Sequence, residues 1–164
     1  NLGRIYREMN PQENLQKIAE QRNIEAKGGE AQIIRWIPTS PQEAKDAGIT
    51  DIDILEAVDY YTTPRGQHKN SPNKVNLISF ASIITFDAFR FAEKLLTQPL
   101  QIIIGEKPGG FGSYRDGYEI FNAATSTKKD LMVIKNTSHY DLYDKPEPMQ
   151  KAVEKLTSFF KENL

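Results

Sequence analysis

The chain has 164 residues, with 21 Lys+Arg against 22 Asp+Glu, two His, one Trp and no Cys. A formal net charge of -1 and a pI near 6.2 give no electrostatic footprint for nucleic acid or an anionic membrane. The lack of cysteine excludes disulfides and thiolate chemistry, two lone histidines do not build a zinc site, and no apolar run approaches the roughly 20 residues of a membrane span.

No repeat or low-complexity tract appears, so the elements are read in chain order. The first residue is Asn, not Met, which suggests processing or a start inside a longer sequence. Asn10-Pro11-Gln12-Glu13 has capping-box spacing with Pro at the first helical position, and Leu15, Ile18 and Ala19 form a modest apolar stripe behind it. Gly28-Gly29 stops that helix. Ala31–Ile37 has strand character and ends at Pro38. Ser40-Pro41-Gln42-Glu43 and Thr50-Asp51-Ile52-Asp53 are two further capping boxes, the second opening a helix through about Tyr60. Thr63–Lys74 is polar, with Pro and Gly, and reads as a loop.

The second half changes rhythm. Ile84–Leu96 reads as an apolar helix with Phe86, Phe89 and Leu96 as packing candidates, and Pro99 resets the backbone. Leu100–Ile104 is a strand entering the glycine-rich turn Gly105–Gly112, and Ser113-Tyr114-Arg115-Asp116 caps a helix to about Ala124. That turn lacks the Gly-Lys-Ser/Thr ending of a phosphate loop. Leu131–Lys135 is a second buried strand, followed by the loop Asn136–His139. Met149, Ala152, Val153, Leu156, Phe159 and Phe160 then mark one face of a long final helix. Strand, helix, strand, helix with near-continuous apolar strands implies a parallel α/β layer. The count falls short, however. Parallel sheets usually hold about 4–6 strands, the second half supplies two, and the Ala31–Ile37 strand need not join them.

His139 lies past the carboxyl end of a buried parallel strand, where open α/β sheets place ligands and catalytic groups. Thr137-Ser138-His139-Tyr140-Asp141-Leu142-Tyr143-Asp144 resembles the histidine segment of a bacterial branch of the dienelactone-hydrolase-like α/β hydrolases. Tyr61-Thr62-Thr63-Pro64-Arg65-Gly66-Gln67-His68 is similar to that branch's cap insertion, and Leu95–Leu100 to the approach to its penultimate core strand. The resemblance runs from roughly Gly3 to the end and matches the C-terminal half of the family's fold. It implies a partial α/β-hydrolase fold of parallel strands with flanking helices and an incomplete sheet: a helical cap-like segment over about 1–80 and the last part of the core over 81–164.

For chemistry it implies His139 as general base, later general acid. The nucleophile should sit on a G-x-S-x-G elbow, and none exists in the sequence. Gly110-Phe111-Gly112-Ser113 lacks the trailing glycine, and Ser113 reads better as a helix cap. Pro108 stands where the family's Gly-x-x-Asp turn carries the acid, which leaves Glu106 as the candidate to orient His139, with Asp116 a rival if it left its capping role. Asp141 and Asp144 read as turn or cap residues. Arg65 and His68, with Lys69, either form a solvated loop or bind an anionic group of a small-molecule substrate. No metal or cofactor is implied.

The functional expectation is the C-terminal portion of an α/β hydrolase acting on an ester or similar acyl substrate. Its nucleophile and the rest of its sheet would come from an N-terminal half of the same protein or from a second chain, including a second copy in a homo-oligomer. The rival expectation is a non-catalytic, truncated binding or oligomerisation module. Neither a nucleic-acid nor a membrane partner is expected, and a cytoplasmic location is the default.

Overall fold

The computed structural model describes residues 1–164 and divides into two compact units, Asn1–Asp87 and Ala88–Leu164. The first unit is mainly helical: α1 (Leu2–Glu8), α2 (Pro11–Ala26), α3 (Pro41–Asp46), α4 (Ile52–Thr62), a 3-10 turn (Leu77–Ser79) and α5 (Phe80–Thr85). Its strands are two residues each, β1 (Ile33–Ile34) antiparallel to β2 (Val75–Asn76), so the Ala31–Ile37 segment pairs within its own unit. Helix α2 ends as expected. Gly28 turns left-handed at φ 84°, its N–H donates to Glu25 O, and Gly29 N–H reaches back to Ile24 O, satisfying carbonyls the last turn leaves open. The Ser40 cap also holds, with Oγ accepting from Glu43 N–H at 3.1 Å.

Two caps differ from expectation. Asn10 sits at φ 44° and its amide donates to Glu13 Oε2 at 2.7 Å, so its side chain does not accept at the helix start. At α4 the acceptor is Asp51, not Thr50, and it takes Ile54 N–H at 3.1 Å. The core of this unit is Ile18, Phe80 and Ile84, with Tyr6 and Trp36 packed against them. The Tyr6, Trp36 and Phe80 rings lie 5.0–6.2 Å apart, offset or edge-on as aromatic quadrupoles prefer. Gly3 lets α1 press on α5, because a Cβ there would run into the carbonyls of Ile83 and Phe86.

The expected helix over Ile84–Leu96 does not form as one piece. Helix α5 stops at Thr85, Phe86 is 61% exposed, and only α6 (Ala92–Leu95) regains a turn. The cause is local. Arg7 Nη1 donates to Ile84 O and Phe86 O at 2.8 Å each, taking one carbonyl that a continuing helix would need and fixing another outside it. Ile83-Ile84-Thr85 is also a β-branched run with weak helix propensity.

The second unit contains α6, β3 (Leu100–Gly105), α7 (Ser113–Ala123), β4 (Lys129–Ile134), α8 (Asp141–Asp144) and α9 (Pro146–Asn163). Strands β3 and β4 pair in parallel from Leu100↔Lys129 to Gly105↔Ile134, and they form a two-stranded sheet. Helix α7 packs on both strands, with Gly117 against Ile104. Ser113 is not its cap: Gly112, at φ 75°, holds that position, and Ser113 is the first helical residue. Lys129 Nζ closes the other end, donating to Phe121 O and Ala124 O at 2.7 and 2.6 Å. The face expected of α9 is only partly covered. Ala152, Leu156 and Phe159 are half-buried, whereas Val153 is 56% and Phe160 49% exposed. No helix is long and apolar enough to cross a membrane.

Candidate functional site

The carboxyl ends of β3 and β4 are knitted together. Glu106 N–H donates to Ile134 O and Lys107 N–H to Thr137 O, both at 3.0 Å. The Glu106 carboxylate in turn accepts Asn136 N–H at 2.8 Å, which holds Asn136 in its left-handed conformation at φ 55°. Gly105 is buried beneath this loop, and a Cβ there would meet Thr137 O and, at 2.7 Å, Ser138 O. Only glycine lets the two backbones approach this closely. The histidine loop is therefore fixed by backbone bonds and one carboxylate before any side chain of its own is considered.

Ser138 and Asp141 then lock the turn reciprocally. Ser138 N–H donates to Asp141 Oδ2, and Asp141 N–H donates to Ser138 Oγ, each at 3.0 Å, with Ser138 fully buried. His139, half-buried between them, places Nε2 3.0 Å from Tyr143 Oη, one helical turn further on. Its ring also stands edge-on to the buried Tyr140 at 5.2 Å. The imidazole thus has a defined rotamer and a hydroxyl against one nitrogen.

Glu106 lies in the same unit as His139, and its hydrogen bond goes to the backbone of the loop that carries the histidine. On α7, the Tyr114 phenol is pushed up by its hydrogen bond with Tyr118, then by that neighbour's charge and burial, and least by the negative charge of Glu106. Asp116, 7% exposed, lies 3.7 Å from Arg115 Nε. Tyr143 and the Ser138–Asp141 lock were not singled out as a group from the sequence. The i, i+4 spacing of His139 and Tyr143 and the S-x-x-D spacing of Ser138 and Asp141 carry the signal.

Arg65 and His68 belong to the first unit. Arg65 pairs with Asp59 at 3.0 Å and lies over the Tyr60 ring at 5.4 Å. His68 and Lys69 line an open cavity of about 400 Å³ between α4 and the loop leading to β2, together with Tyr61, Gln67, Ser71 and Asn73.

No protein-family model matches the chain. It is 34% identical over 128 residues to the uncharacterized protein YcjY of Escherichia coli K12, spanning 78% of this chain and 40% of that protein. It is 27% identical over 143 residues to the uncharacterized protein PA2218 of Pseudomonas aeruginosa, spanning 85% and 32%. The chain thus covers well under half the length of these curated relatives. The crystal structure of PA2218 superposes with a TM-score of 0.76 at 24% identity, covering 93% of this chain and 45% of that one. DcsB, solved with a substrate analogue, gives 0.72 at 15% identity, covering 94% and 52%. The α/β hydrolase GrgF of Penicillium sp. sh18 gives 0.63 at 16% identity, covering 94% and 50%. The chain therefore has the parallel-strand and flanking-helix architecture of the α/β hydrolase fold, with only two strands in its parallel sheet.

Proposed function

We propose that the chain supplies the histidine-bearing part of an α/β hydrolase acting on an ester or similar acyl compound, with the nucleophile in a segment outside these 164 residues. One observation carries the reading: His139 stands on a doubly fastened loop at the carboxyl end of β4, its imidazole carried by a paired parallel strand. In this role His139 takes a hydroxyl proton in the first step and returns it to the leaving group. Glu106 orients the imidazole indirectly, through the Asn136 backbone.

The test is hydrolysis of p-nitrophenyl esters by the protein expressed from the complete coding sequence containing these residues. His139→Ala should lower turnover by about a thousandfold or more. Undiminished turnover would remove His139 from the chemistry, and absence of hydrolysis by folded protein would overturn the whole reading. A second reading, a non-catalytic module that pairs with another copy, is favoured by the two-stranded sheet and the uncovered Val153 and Phe160. Size-exclusion with light scattering separates the two: the module reading requires a stable dimer or higher oligomer.

A further inference from the structure

We propose that the cavity between α4 and the 63–74 loop is a binding site for a small organic carboxylate, gripped by Lys69 and His68. The site lies within the first unit and goes beyond the hydrolytic reading. It is tested by binding alone, so it stands or falls whether or not any ester is turned over.

The cavity, about 400 Å³, lies in the range of small-molecule sites. Its wall is fastened at both ends. Thr63 Oγ1 donates to Asp59 O at 2.6 Å, and Gln67 N–H donates to Thr63 O at 3.0 Å. At the far end Asn73 Oδ1 accepts the N–H groups of Trp36 and Ile37, both at 3.0 Å, while its amide donates to Ile37 O at 2.7 Å. Between these anchors, Ser71 N–H closes a turn onto His68 O at 2.8 Å. The loop is therefore a built wall.

Its chemistry has one sign. No Asp or Glu lines the cavity, and Lys69 brings an ammonium with no acidic partner. His68 Nδ1 accepts the Asn70 N–H at 3.2 Å, so the neutral ring carries its proton on Nε2 and presents a donor there. Gln67 and Ser71 add further donors to the lining, and Tyr61 and Pro72 add apolar surface for an organic body. Glu43, which accepts from the N–H and Oγ1 of the lining Thr39, is also paired with Arg35 at 3.1 Å. Arg65, expected from the sequence to share this duty, is committed to Asp59, and Lys69 takes its place. A lysine, a histidine and neutral donors in one lining, beside apolar surface and with no carboxylate among the lining residues, suit an organic acid.

Phenylacetate is the probe, titrated into the chain and followed by calorimetry and by NMR signals of the loop. Phenylacetamide, the same shape without charge, and inorganic phosphate are the comparison ligands. Saturable phenylacetate binding is expected, at least tenfold weaker for the amide and for Lys69→Gln, with the Asn73 amide signal of that variant unmoved to report an intact wall. His68→Gln, which keeps a side-chain N–H donor, should retain more affinity than His68→Ala. Equal affinity for the amide, undiminished binding by Lys69→Gln, or no saturation would overturn the proposal. Tighter binding of phosphate than of phenylacetate would overturn the assignment to carboxylates.

Discussion

Replacing Gly105 by Ala tests the fit on which the histidine loop depends. An added Cβ would lie 2.7 Å from Ser138 O, and closer still to Thr137 O, both backbone atoms with no rotamer to yield. Carbon–oxygen contacts normally begin at about 3.3 Å, so the loop must retreat by at least about 0.6 Å at Ser138 and by more at Thr137. The Lys107 N–H bond to Thr137 O, now 3.0 Å, would then lengthen beyond hydrogen-bonding range. Losing that bond costs about 1 kcal/mol and overpacking a further 1–3 kcal/mol, against about 0.4–1 kcal/mol recovered from reduced freedom of the unfolded chain. The balance is a loss of about 2 kcal/mol, or roughly thirtyfold in the folding equilibrium. Urea unfolding followed by far-UV circular dichroism should show a lower midpoint at unchanged slope, and the Lys107 amide should exchange faster. A midpoint shift worth less than about 0.5 kcal/mol, or unaltered Lys107 exchange, would refute the close approach.

Ser138→Ala should cost about 1–2 kcal/mol in the same unfolding assay, whereas Asp141→Asn, which can still accept Ser138 N–H, should cost distinctly less. Tyr143→Phe removes the hydroxyl facing His139 Nε2, so the Nε2 nitrogen resonance should move while stability falls by about 0.5–1.5 kcal/mol; an unmoved resonance would show the bond absent in solution. Asp130 is held below the usual carboxylate range, first by its hydrogen bond with Lys155 and then by that with Gln101. Because its folded pKa is depressed, its contribution is present above the unfolded value near about 3.9 and is lost as pH falls through the lower folded value. Lys155→Met should therefore flatten the acid limb of a stability–pH profile. The partners are 40% and 55% exposed, so solvent screening keeps the effect below about 1 kcal/mol.

What the sequence revealed follows the range of the interaction. The two parallel strands were legible because Leu100–Ile104 and Leu131–Lys135 are short apolar runs bounded by turn residues, a signal contained within each run. The Ser40 cap was legible for the same reason. Ser113 has the same box spacing, yet the chain enters α7 through a left-handed Gly112, and composition does not reveal that local conformation. The break after Thr85 depends on Arg7, 77 residues from Ile84, and no window along the chain contains that bond. The site divides likewise. His139 could be placed by its position after a strand, but the use of Glu106 on the Asn136 backbone and the pairing of Arg65 with Asp59 needed coordinates. Val153 and Phe160 were grouped correctly on one helix side, but periodicity gives the side and not whether a neighbour covers it.

Trp36, the only tryptophan, sits among Tyr6 and Phe80 in the first unit. Four of the seven tyrosines, Tyr114, Tyr118, Tyr140 and Tyr143, belong to the second. Indole emission excited near the red edge therefore follows the melting of residues 1–87, while circular dichroism records the helices of both units. Coincident transitions in the two signals would mean that the units unfold as one cooperative body, and an earlier or later fluorescence transition would give each its own stability. A single residue thus turns the cooperativity of the chain into an optical measurement needing no label.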